Sequence, residues 1–130
     1  MPNLQIARFV LGLAWIYQGL VPKLLFLAPT EQAMWQSLGP DDATIRILIY
    51  LAGFLEIIFG LMIILFYRSP RVHYLNLWAL GGLLLATAIF EPHFMNDAFN
   101  PVTTNIPLMV LSLIAISEIK RAGRFAGPLK

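Results

Sequence analysis

The chain contains no cysteine. Disulfides, thiolate-bound iron–sulfur clusters and cysteine redox chemistry are therefore excluded. Charge is scarce too: 12% of the 130 residues are Asp, Glu, Lys or Arg, against roughly 25% in an ordinary soluble domain. There is no internal repeat and no low-complexity tract. There is no nucleophile–base pair, phosphate-cradling glycine loop or pair of catalytic carboxylates. No residue is therefore assigned a catalytic role. The pI is near 9.2, but the net charge is only +2 and the cations sit beside apolar runs. A nucleic-acid binder needs a basic stripe on a soluble surface, so no nucleic-acid partner is expected.

What the chain has is apolar sequence. It is 58% hydrophobic, with a mean hydropathy of +0.74. Its length suits one domain. A soluble domain this small leaves much of its surface exposed and could not hide so much apolar area. Lipid accepts that surface, so the expected fold is an all-α integral membrane four-helix bundle.

Four segments fit. The first runs from about residue 5 to 27 and contains LGLAWIYQGLVPKLLF. Its length, its Trp15, Tyr17 and Gln18, and the lack of a small-x-small cleavage site favour a retained helix over a signal peptide. The second runs over 43–66 and carries Glu56 near its centre. The third, 74–90, has no charge. The fourth, 101–120, starts after an Asn100-Pro101 cap, with Pro107 expected to kink it. Between the first two, Thr30 and Gly39-Pro40 bracket a stretch that reads equally as an ordinary ordered loop or as a short surface helix with Met34, Trp35 and Leu38 on one face.

The connecting segments alternate in sign. Arg8, then Arg68 and Arg71, then Lys120, Arg121, Arg124 and Lys130 fall on one side. Glu31, Asp41 and Asp42, then Glu91 and Asp97, fall on the other. The positive-inside rule places both termini in the cytoplasm, an N-in/C-in arrangement that requires an even number of crossings.

Polar groups within the spans carry the functional signal. A carboxylate at the bilayer centre costs at least roughly 2.5 kcal/mol, so Glu56 should face another helix. Gly53 and Gly60 flank it on the same face. The first segment offers a matching stripe: Arg8, Gly12, Gly19 and Lys23, spaced by four, seven and four. Small residues let backbones approach closely. Gly12, Gly19, Gly53 and Gly60 are accordingly assigned to helix packing. Counting the rise per residue, Lys23 lies roughly 10 Å outward of the centre and Arg8 roughly 12 Å inward. Pro22 deprives the Gln18 carbonyl of its helical partner, and the deformable Gly19–Pro22 stretch makes Lys23 the favoured partner of Glu56.

These residues form a candidate ligand-binding set: Lys23, Glu56, Gln18 and Tyr17, with Asn100, Thr103 and Asn105 as an outer vestibule. For each there is a plainer reading. Glu56 serves equally as packing glue, Lys23 as a snorkelling lysine, Asn100 as a helix cap, and Arg8 and Arg46 as interfacial anchors. Glu91, His93 and Asp97 lack a second histidine and a known ligand motif, so no metal is expected. His73 and His93 fall at opposite faces and cannot share one haem iron.

Three patches, LGLAWIYQGLVPKLL (11–25), GFLEIIFGLMIIL (53–65) and NPVTTN (100–105), together resemble the DoxX-like family of small bacterial membrane proteins. The resemblance covers nearly the whole chain in the same order. It implies a four-helix membrane bundle in the bacterial inner (plasma) membrane. It also implies association with a quinone-linked oxidoreductase, whose redox centre would belong to a partner. No cofactor is expected on this chain alone, with quinone the one candidate. By match to the family's patches, Gly19, Pro22, Lys23, Glu56, Gly60, Asn100, Pro101, Thr103 and Asn105 are the positions of interest. The expected function is an accessory or anchor subunit. The alternatives are a carrier for a small polar or amphiphilic molecule at Lys23 and Glu56, and an enzyme acting on a lipid-soluble substrate.

Overall fold

The computed structural model describes residues 1–125. Lys130 lies outside them. Helix α1 (Pro2–Gly19) runs on into a π-helical turn (Leu20–Leu25). A short helix α2 (Pro29–Gln36) follows, then α3 (Asp42–Phe66) and α4 (Pro70–Phe90). A 3₁₀ turn (Pro92–Asn96) leads to α5 (Pro101–Phe125). No strand occurs among the described residues.

Four of these helices are long and apolar enough to cross a membrane: Pro2–Leu25, Asp42–Phe66, Pro70–Phe90 and Pro101–Arg124. At about 1.5 Å per residue each exceeds the roughly 30 Å hydrocarbon layer. The four correspond to the four expected segments, with shifted ends. Prolines at the first helical turn start α1, α4 and α5, where their missing N–H costs no bond. The third span begins at Pro70 rather than 74, taking in Arg71 and His73. The fourth continues to Phe125, past the expected end at 120. Cations do not stop a helix whose end reaches the headgroups. Pro107 stays inside the continuous α5.

The core is narrow. Leu4, Ala7, Leu11 and Trp15 of α1 meet Ile63 of α3, Val72 and Leu80 of α4, and Ala115 of α5. The Trp15 and Phe59 rings pack edge-on at 5.0 Å. Most large side chains of α3, among them Ile47, Leu51, Phe54, Ile58, Leu61 and Leu65, point outward. In water such a surface would aggregate; in lipid it faces a matching solvent.

Two glycine pairs set the α1–α3 crossing. A Cβ on Gly60 would lie 2.5 Å from the Gly12 carbonyl oxygen, and one on Gly53 would lie 2.8 Å from that of Gly19. The pairs are seven residues apart on each helix and run antiparallel. Gly12, Gly19, Gly53 and Gly60 all lie at this crossing.

One end of the bundle gathers the N-terminus, the α3–α4 turn and late α5. Asn3 donates to Glu118 Oε1 at 2.8 Å, and Gln5 to the Tyr67 hydroxyl at 3.1 Å. The Arg8 Nε donates to the Ile64 carbonyl at 2.8 Å, and its guanidinium lies 4.4 Å from the Tyr67 ring centre. Lys120 lies over Tyr74 at 5.7 Å. Helix α2 belongs to the opposite end.

Candidate functional site

The site starts from a missing hydrogen. Pro22 has no N–H to donate, so an α-helix cannot continue through it unbroken. The chain widens into the π turn instead, a feature that often marks functional sites. The Phe26 N–H reaches back five residues to the Val21 carbonyl at 3.1 Å, and the Ala28 N–H reaches the Pro22 carbonyl at 2.7 Å. Lys23 leaves this turn toward α3. Its Cβ lies 3.0 Å from the position a Gly53 Cβ would take.

Glu56 approaches from the other side. Its Cβ lies 3.0 Å from the position of a Gly19 Cβ, so its side chain faces α1 and not lipid. Lys23 Nζ stands 3.1 Å from Glu56 Oε1. The offset estimated from helical rise is closed by the π turn and the glycine crossing. Lys23 is 4% exposed and does not snorkel.

A second carboxylate joins them. Glu31, in the first turn of α2, accepts from Lys23 Nζ at 2.5 Å. Sequence reasoning counts Glu31 only as a loop acid, because pattern does not show where a loop folds back. The available signal is the predicted short helix eight residues after Lys23. The cluster thus holds one ammonium and two carboxylates. Glu56 Oε2 is buried without a hydrogen-bond partner among the described residues.

The structure does not bring the other expected members to this place. Tyr17 and Gln18 face outward, Tyr17 at 64% exposure. At about 3.6 residues per turn they lie round the helix from Gly12 and Gly19. Both sit beside Gly19, which crosses Gly53 midway along α3, so they lie at mid-span. The polar stretch opening α5 bonds locally. The Thr103 N–H donates to Asn100 Oδ1 at 3.0 Å, the Thr103 and Thr104 hydroxyls donate to the Asn100 carbonyl, and the Thr104 hydroxyl also donates to Asn105 Oδ1 at 3.3 Å. This is a helix cap. No hydrogen bond or ion pair among the described residues links it to Lys23 or Glu56.

A second polar network lies deeper in the bundle, outside the expected set. The Trp15 indole donates to Asn76 Oδ1 at 2.6 Å, and Asn76 Nδ2 donates to the Ser112 hydroxyl at 2.8 Å. Asn76 and Ser112 are fully buried. The signal was an amide inside an otherwise apolar segment. Next to it on α4, His73 is also buried and its Nε2 meets the Tyr67 carbonyl at 2.8 Å. His93, past the far end of α4, pairs with Glu91 at 3.3 Å. Among the described residues no three His, Asp or Glu side chains gather as a metal site.

The model of the DoxX-like family matches residues 12–113. The chain belongs to the DoxX-like family. With four spanning helices, this DoxX-like protein is a multi-pass membrane protein. The matched stretch contains Lys23, Glu31, Glu56, Asn76 and Ser112. No curated protein and no solved structure matches the chain significantly.

Proposed function

We propose that this DoxX-like protein is an accessory or anchor subunit of the bacterial inner membrane, docking a membrane-embedded partner of a quinone-linked oxidoreductase. The observation that carries the reading is Gln18. Its amide faces outward at mid-span and has no hydrogen bond among the described residues. An amide without a partner in hydrocarbon costs roughly 4–8 kcal/mol on an alkane scale, and polar side chains at depth normally join helices. Tyr17 adds a phenol beside it. A partner helix with a matching donor and acceptor satisfies both. The redox assignment comes from the family resemblance.

A photo-crosslinker at position 18, used in native membranes, tests this. The expected product is a discrete heterologous adduct, and the adducted partner carries quinone-reducing activity that no longer co-purifies with Gln18→Leu. Adducts only to lipid, or only to a second copy of the chain, contradict the subunit role.

The N-in/C-in orientation belongs to the same proposal. Arg8, Arg68, Arg71, Lys120, Arg121 and Arg124 crowd one end, which the positive-inside rule assigns to the cytoplasm. A reporter active only outside the membrane should be silent after Lys130 and active when inserted at Ser37. The reverse pattern overturns the orientation.

A second reading, a carrier or binding protein for a small amphiphile, is favoured by the buried Lys23 held by one carboxylate from the bundle and one from a peripheral helix.

A further inference from the structure

Helix α2 is attached differently from the rest of the bundle. It has eight residues and none is buried. Its flanks hold the two positive-φ residues found among the described ones, Leu27 (φ 46°) and Gly39 (φ 91°). Glycine adopts that conformation freely. Leucine does not, so the backbone at Leu27 is strained. The Gln32 amide bridges to the Leu27 carbonyl at 2.6 Å. The charged attachment of α2 to the bundle is Glu31 on Lys23. Helix α2 is thus short, bounded by two left-handed residues, and joined to the bundle by one ion pair among the described residues.

This ionic latch has a defined chemistry. Glu31 adds a monoanionic group of two oxygens to the ammonium. An incoming monoanionic oxygen headgroup that displaces it leaves the charge of the cluster unchanged and keeps the charge-assisted bond. The surroundings are apolar. Leu24 packs within 3.1 Å of the Gly53 Cβ position, and Leu20, Leu25 and Phe26 present outward apolar surface on the same turn. An alkyl chain in the bilayer has that surface to lie along.

We propose that α2 is a hinged lid over a lipid-accessible anion site, in which Glu31 holds the place on Lys23 of the carboxylate or phosphate headgroup of an amphiphile. This deepens the second reading above. Closed, the site is the ion-paired cluster described. Open, Lys23 keeps Glu56 and receives the headgroup, while Glu31 moves out with α2 into water.

The lack of cysteine makes a single-site label clean. Met34 lies three residues beyond Glu31 on the same face of α2 and is partly buried. The full chain carrying Met34→Cys, in an uncharged detergent, is treated with a polar maleimide. Oleate, phosphatidylglycerol in mixed micelles, oleyl alcohol and inorganic phosphate are compared.

Oleate or phosphatidylglycerol should speed labelling several-fold, and whichever of the two is stronger identifies the headgroup. Oleyl alcohol and phosphate should not. Glu31→Gln should speed labelling without any ligand. Lys23→Arg, which keeps the cation, should retain the response, and Lys23→Met should lose it. Oleyl alcohol acting as strongly as oleate overturns the anion requirement, and phosphate acting as strongly overturns the amphiphile. If Glu31→Gln opens the lid but no anion does, the ligand class falls while the latch stands. If neither does, the lid falls. Oleate still retained by the wild-type chain and lost from Lys23→Met in equilibrium dialysis then leaves the binding reading standing, and no retention removes that reading too.

Discussion

The bundle contains two buried polar groups of opposite character. Between α1, α4 and α5, Trp15, Asn76 and Ser112 form a neutral chain in which the indole N–H and both ends of the Asn76 amide are used. Between α1, α2 and α3, Lys23 is shared by Glu31 and Glu56, and one Glu56 oxygen stays unmet. A satisfied neutral network fixes helix register. A charged cluster with a surplus carboxylate is costly to bury, and one of its oxygens is left without a partner among the described residues. The comparison separates a satisfied polar group from an unsatisfied one within one small molecule.

Breaking each group should give effects of different size. Lys23→Met leaves two carboxylates together without a cation and should destabilise most, by about 3–5 kcal/mol, as for other broken buried pairs. Thermal unfolding in one mild detergent measures it. Gly19→Leu should come next. Its Cβ would collide with the Gly53 carbonyl oxygen and crowd Glu56 and Ile57, and overpacking costs about 1–3 kcal/mol or more. It should also release Lys23 from Glu56, whereas replacing Leu84 should be milder. Wild-type stability for Gly19→Leu rules out the close crossing.

Asn76→Ala should cost about 1–3 kcal/mol, by leaving the Trp15 indole and the Ser112 hydroxyl unpaired. It should not alter labelling of α2 at position 34. A change there would mean that the two groups are coupled and the separation is wrong. The smallest effect concerns Asp41 at the start of α3. A hydrogen bond from the Thr44 side chain holds its carboxyl below the usual carboxylate range. A group whose folded pKa is depressed stabilises above its unfolded value, and this is lost as pH falls through the folded value. Asp41→Ala should therefore be slightly less stable at neutral pH and indistinguishable from wild type in acid.

Much of this was legible in the sequence. The four spans follow from apolar length, and the α1–α3 crossing from glycines spaced by seven on both segments. The Lys23–Glu56 pairing follows from the cost of a carboxylate at depth together with a proline that deforms the facing helix. The rest depends on tertiary geometry. Glu31 reaches Lys23 only because α2 turns back over the π turn. Tyr17 and Gln18 share the depth of the site but not its face, a difference of rotation that adjacency in sequence hides. Asn100 to Asn105 looked like a vestibule, but its side chains serve the start of α5. Asn76 and Ser112 become partners only when α4 and α5 pack on α1.

The most direct test is a double-mutant cycle on Lys23→Met and Glu56→Gln, with unfolding of both single variants and the double variant measured in one detergent. If the two groups pair across the Gly19–Gly53 crossing, each single change should be costly and the double change should cost clearly less than their sum. Strict additivity would contradict the pair and leave Glu56 as packing glue.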